Sequence, residues 1–202
     1  SANAMVVTIT ATNASGTGTG TLTLTIQPGS QTITFGALSP VVFGTPPFNL
    51  AATGGNSGEP VTYTSSNPLV ASISGNVVTI VGAGSTVITA SQAGNSDYNV
   101  APDVSQTLDV TQASQTITFG PLSPVLTTSP SFSLSATGGA SGNPITFVSS
   151  DPNVATISGN VVTIIGAGST TITASQAGNT NFLVATNVSQ VLIVSDPTLI
   201  AQ

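Results

Sequence analysis

Residues 65–95 read SSNPLVASISGNVVTIVGAGSTVITASQAGN, and residues 149–179 read SSDPNVATISGNVVTIIGAGSTTITASQAGN, an offset of 84 positions (149 − 65 = 84). Within each copy apolar residues alternate with Thr and Ser, while Gly, Pro and Asn punctuate the runs. Alternation at period two puts one set of side chains on a buried sheet face and the other in water, so the stretch predicts short, half-buried antiparallel strands. SGN at 74–76 separates VASI from VVTIV as a tight hairpin, because glycine takes positive φ at little cost. GAG at 82–84 breaks the next pair of strands. No segment carries a helical stripe.

Working outward, Ser30 aligns with Ser114 and the match runs gap-free to Val110 and Val194, with about two thirds of positions identical. A unit of this size is a domain and not a solenoid turn. Phe48, Leu50 and Ala52 alternate as one strand, and Val61 and Tyr63 belong to another. Seven or so short strands per copy predict a two-sheet sandwich. Upstream, Leu24 and Ile26 hold the register of Leu108 and Val110, so residues 1–28 read as the last two strands of a truncated third module. The expected organisation is that partial module, repeat A at 29–112, repeat B at 113–195, and a tail at 196–202. About three residues separate the last strand of A from the start of B, too few for a flexible tether. The sandwiches are therefore expected to stack in a linear, rod-like array, each module on the order of 35–40 Å long.

The run from Tyr63 to Asn95 resembles the core of bacterial Ig-like domains of the group-2 type. The residues that carry the resemblance are Tyr63, Ser65, Ser66, Asn67, Val70, Ala71, Gly75, Gly82, Gly84, Ile88, Thr89 and Ala90, with Phe147 and Asp151 in place of the Tyr and Asn in repeat B. The flanking SQTITFG and SQAGN phrases are similar to tandem repeats of large secreted and cell-surface proteins, including those of gliding Bacteroidetes. The resemblance implies Ig-like sandwiches and an extracellular, cell-surface repeat protein.

Composition removes whole classes of function. The 202 residues include no Lys, Arg, His, Cys or Trp and six acidic residues, for a net charge of −6. General acid–base chemistry would fall to six scattered carboxylates, and a Ser or Thr nucleophile has no His or Lys base. Zinc lacks its usual nitrogen and sulfur ligands. The chain therefore reads as non-enzymatic, with no cofactor and no metal. Nucleic acid is excluded as a partner, since no cation is present to neutralise phosphate. Mean hydropathy is +0.41, yet Thr, Ser and Gly interrupt every apolar stretch well short of a roughly 20-residue membrane helix. No insertion into a membrane is expected. SANAMVV lacks the basic start and apolar core of a signal peptide.

Several residues invite a role. Asp97, Asp103 and Asp109 suggest calcium, but repeat B has Asn181, Asn187 and Ile193 there, so solvated loop carboxylates are the plainer reading. Tyr98 and Phe182, before each final strand, read either as glycan contacts or as plugs closing the sandwich end; Phe35 and Phe119 read as core. The alternations TITAT and TLTLT line hydroxyls along one face, as in ice-binding surfaces, although Thr also suits any wet strand face. Asn13 and Asn187 fit the N-glycosylation pattern. In the N-terminal hairpin Val7, Ile9, Leu22, Leu24 and Ile26 form an apolar face for self-association. A lone hairpin is marginal and leaves both edges unpaired, so either upstream residues of the same chain or a neighbouring copy is expected to complete it. The function expected is a structural segment of an extracellular fibre, stalk or surface protein, whose modules act as stiff spacers and assembly units. The alternative is an adhesin whose loops bind glycan or a surface protein.

Overall fold

The structure is a computed structural model and describes residues 3–199. It is all-β apart from one 3-10 turn at Pro197–Leu199. The chain divides into two compact units: one takes in the chain up to Val41 with Thr45–Val110, the other Val42–Gly44 with the chain from Thr111 on.

An N-terminal hairpin comes first, β1 (Asn3–Asn13) and β2 (Gly16–Ile26). Repeat A follows with β3 (Thr34–Phe35), β4 (Val41–Val42), β5 (Phe48–Asn49), β6 (Ala52–Thr53), β7 (Val61–Ser65), β8 (Ala71–Ser74), β9 (Val77–Ile80), β10 (Gly84–Gln92) and β11 (Val104–Thr111). Repeat B has the equivalent β12 (Thr118–Phe119), β13 (Val125–Leu126), β14 (Phe132–Ser133), β15 (Ala136–Thr137), β16 (Ile145–Ser149), β17 (Ala155–Ser158), β18 (Val161–Ile164), β19 (Gly168–Gln176) and β20 (Val188–Ser195).

Each repeat builds a four-stranded sheet, β4-β11-β10-β7 or β13-β20-β19-β16, and a three-stranded one, β5-β9-β8 or β14-β18-β17. A short pair, β3-β6 or β12-β15, completes each set. The central ladder is antiparallel, from Gly84↔Val110 to Ala90↔Val104, and repeats as Gly168↔Val194 to Ala174↔Val188. Leu126 lies beside Ser195 in a parallel pairing, β13 with β20. The alternation works as predicted: Ile88, Leu108 and Val78 are fully buried in repeat A, as are Ile172, Leu192 and Val162 in repeat B. Burying each such side chain is worth about 1.5–3 kcal/mol. Phe35 and Phe119 are core residues, each meeting Tyr63 or Phe147 edge-on with ring centroids 5.6 and 5.4 Å apart.

The SGN hairpin is present, with Ser74↔Val77 closing it and Gly75 at φ +62°. Because Asn76 keeps negative φ, the turn has the type II′ pattern, whose twist suits the flanking strands.

Two expectations need correction. Phe48, Leu50 and Ala52 do not share one strand: β5 pairs with β9, whereas β6 pairs with β3. The core lies between the sheets, so a chain crossing from one to the other keeps the same side chains inward, and alternation cannot register the crossing. The strand count in each repeat is nine and not about seven. Four of the nine are two residues long, with Pro40 and Pro46-Pro47 flanking β4 and β5 and withholding N–H donors from longer ladders.

Candidate interaction surfaces

The hairpin pairs along its whole length, Asn3↔Ile26 through Asn13↔Gly16, around the two-residue loop Ala14-Ser15. Each strand runs for eleven residues, because Gly16, Gly18 and Gly20 keep their places in the ladder opposite Asn13, Ala11 and Ile9. Among the described residues neither strand pairs with any other. The register sets Val7 against Leu22, Met5 against Leu24, and Asn3 against Ile26. Since alternate positions share a face, Ile9, Leu24 and Ile26 fall on one face of the ribbon; the side chains of Val7 and Leu22, expected on the same face, lie outside those described. The other face aligns Thr8 and Thr12 with Thr21 and Thr17. Ile9, Leu24 and Ile26 keep 48–55% of their surface exposed.

The loops of the sandwiches are closed by their own side chains. In repeat A the buried Gln31 donates from Nε2 to Ala93 O and Asn99 O at 3.0 and 2.8 Å, and its Oε1 accepts from Ser57 N–H at 2.9 Å. Gln92, also buried, accepts from Gly55 N–H at 2.6 Å and donates to Glu59 O at 2.7 Å. Repeat B repeats the arrangement with Gln115 on Ala177, Leu183 and Ser141 at 3.1, 2.8 and 2.9 Å. Its Gln176 engages Gly139 and Asn143, both at 2.7 Å. These glutamines were missed in the sequence. Their signal was a polar residue at an inward position, Gln92 continuing the parity of Ile88 and Ala90 in both copies.

The Ser-Ser-Asn motif is likewise internal. Thr86 Oγ1 lies 2.9 Å from Ser65 Oγ and 3.3 Å from Ser66 Oγ, and it accepts from Asn67 N–H at 3.0 Å. Thr170 does the same for Ser149, Ser150 and Asp151 at 2.8, 3.2 and 3.0 Å. Among the described residues no buried side-chain nitrogen or oxygen is left without a partner.

Tyr98 and Phe182 are half-buried in loops pinned by Asn95 and Asn179, whose Oδ1 atoms accept the N–H groups of Tyr98 and Phe182 at 2.9 and 3.0 Å. The Tyr98 ring covers Gly29, where an added Cβ would meet it at 3.4 Å. Phe182 meets Phe43 edge-on at 5.4 Å, both within the second unit. Asp97 caps its own loop through Ser96 Oγ–H at 3.2 Å, while Asp109 stands on β11 with its side chain exposed. Among the described residues no three acidic side chains converge. A recess of about 340 Å³ in the second unit is lined by Phe119, Leu122, Phe132 and neighbours, with no charged group.

The family described as "Intimin, immunoglobulin-like domain" matches residues 46–94. The chain is similar at 12% identity to Drosophila N-cadherin EC1-4, with TM-score 0.33, covering 95% of this chain and 58% of that one. It is similar at 11% identity to the human desmocollin-1 ectodomain, with TM-score 0.35, covering 96% and 48%. To domains 4 and 5 of the S-layer protein SbsC it is 17% identical, with TM-score 0.34, covering 72% and 82%. The chain thus spans 58% of the N-cadherin structure and about half of the desmocollin one. No curated protein matches it. Among the described residues no helix is long and apolar enough to cross a membrane.

Proposed function

We propose that the chain is a non-enzymatic structural segment of an extracellular bacterial protein, with group-2-type Ig-like modules serving as stiff spacers and assembly units of a stalk, fibre or surface layer. One observation carries this reading: both repeats close the same loop with the same pair of buried glutamines, at distances that agree within about 0.1 Å. A loop that recognises a ligand keeps polar groups free to reach it. Here the amide groups are spent on internal bonds, which fix shape and repeat it. The match of residues 46–94 to an intimin Ig-like domain supports the surface location. Spacing is tested by small-angle scattering on residues 29–195 against residues 29–112. A maximum dimension that roughly doubles with the second repeat supports the stiff spacer, and one that grows by much less overturns it. Saturable binding of the chain on a glycan array would favour the adhesin.

A further inference from the structure

We propose that the chain assembles head to tail, the apolar face of its N-terminal hairpin seating on the outer face of the four-stranded sheet of repeat B in the next copy. This rests on the reading of the chain as an assembly unit and names the two surfaces that meet.

The receiving face shows itself by comparison of the two repeats. On the outer face of β7, β10 and β11, repeat A carries Thr64, Thr107 and Asp109, all exposed. At the same register positions of β16 and β20, repeat B carries Val148, Val191 and Ile193, which keep 48–64% of their surface exposed. Across β19 these pair with Thr173, Thr171 and Ser169. One change runs the other way, Val87 to Thr171. The net result is that a face with a carboxylate has become an uncharged one with two more exposed large apolar residues. A single exposed valine, such as Val87 in repeat A, is ordinary; three large apolar residues exposed on one face single that face out as a contact surface.

The hairpin fits this face by charge and by size. It is a two-stranded ribbon, marginal alone, and neither of its strands carries a charged residue. Seated on repeat B it buries no charge. Seated on repeat A it would bury Asp109, and the chain has no cationic side chain to pair with it. Its eleven-residue strands run about 36 Å and the receiving β19 and β20 about 26–30 Å, so one ribbon spans the sheet at ordinary face-to-face packing. Donor and receiver are different surfaces, so the contact is heterologous and propagates without closing.

The test uses the full chain and light scattering over a wide concentration range. Leu24→Asp disables the donor, with Leu24→Thr as a second donor variant that keeps β propensity. The triple variant Val148→Thr, Val191→Thr, Ile193→Asp disables the receiver while installing only residues that repeat A already carries in the same fold. Wild type is expected to grow with concentration and every variant to stay monomeric. A one-to-one mixture of Leu24→Asp with the triple variant is expected to form dimers and nothing larger, since one intact donor meets one intact receiver. A growing wild type whose variants also grow, or whose mixture gives no dimer, overturns this pairing alone. A wild type that stays monomeric overturns the pairing and the assembly reading together.

Discussion

Gln31 and Gln92 hold one loop from its two sides, Ser57 N–H donating to the first at 2.9 Å and Gly55 N–H to the second at 2.6 Å. Replacing Gln92 by Leu keeps volume but strands Gly55 N–H and Glu59 C=O, and a buried unsatisfied group costs about 1–3 kcal/mol. Thermal unfolding of Gln92→Leu is expected to show a loss of that size, with faster hydrogen exchange at Gly55. Gln176→Leu is expected to do the same at Gly139 in repeat B.

The glycines of this region are expected to rank by what a Cβ would strike. At Gly94 it would run into the Tyr98 carbonyl and at 2.6 Å into the Asn99 backbone, which cannot swing away. At Gly55 it would meet Gln31 Cβ at 2.6 Å, the rigid end of that side chain. Gly58 has φ +75° but nothing within 4 Å, so only the left-handed strain of about 1–2 kcal/mol applies. Denaturant midpoints should therefore fall in the order Gly94→Ala, Gly55→Ala, Gly58→Ala, the first being most damaging. Equal losses at Gly94 and Gly58 would contradict the geometry.

How much of this was legible follows from what period-two alternation encodes. It reports which side chains face inward, so β7 to β11 and the buried Ile88 and Leu108 could be read from residues alone. It does not report which backbone a strand bonds to, and the crossing at Leu50 was therefore hidden. The glutamine pair was hidden for a different reason: Gln31 and Gln92 are far apart in sequence, and only the fold brings both amides to one loop. The outer face of repeat B was spelled out in Val148, Val191 and Ile193, but it gains meaning only from the registers that make them neighbours.

Tyr63 and Phe147 offer a one-atom comparison. Ala52 N–H donates to the Tyr63 hydroxyl at 2.9 Å, and repeat B has Phe147 in its place. Tyr63→Phe is expected to cost about 1 kcal/mol, the net worth of a typical hydrogen bond, while the edge-on contact with Phe35 survives. Calorimetry of the single variant checks this, and a loss above about 3 kcal/mol would mean the ring itself had moved.

At the end of β20, Asp196 accepts from Thr198 Oγ1–H at 2.7 Å and Thr198 N–H at 2.9 Å. The side-chain hydroxyl first, and the backbone bond next, hold its carboxyl below the usual carboxylate range. A lowered folded-state pKa contributes stability that is present above the unfolded value and is lost as pH falls through the folded one. Exchange protection of the Thr198 amide is therefore expected to persist at neutral pH and to vanish on acidification past the ordinary carboxyl range. Protection that rises on acidification would reverse the sign.

The last prediction concerns salt. Six carboxylates and no cationic side chain leave no side-chain ion pair to screen, so added NaCl acts electrostatically only on repulsion among the carboxylates. At about 0.1 M the Debye length is already near 10 Å, which leaves little of that repulsion between separated groups. Melting temperature is expected to stay level or rise slightly between low salt and 0.5 M NaCl, and assembled mass to stay level or grow, because an apolar contact gains nothing from charge pairing. Melting curves and light scattering on the same samples check both. Assembly that dissolves as ionic strength rises would require charge pairing that this composition does not contain, and would sink the account of the hairpin and repeat B as apolar partners.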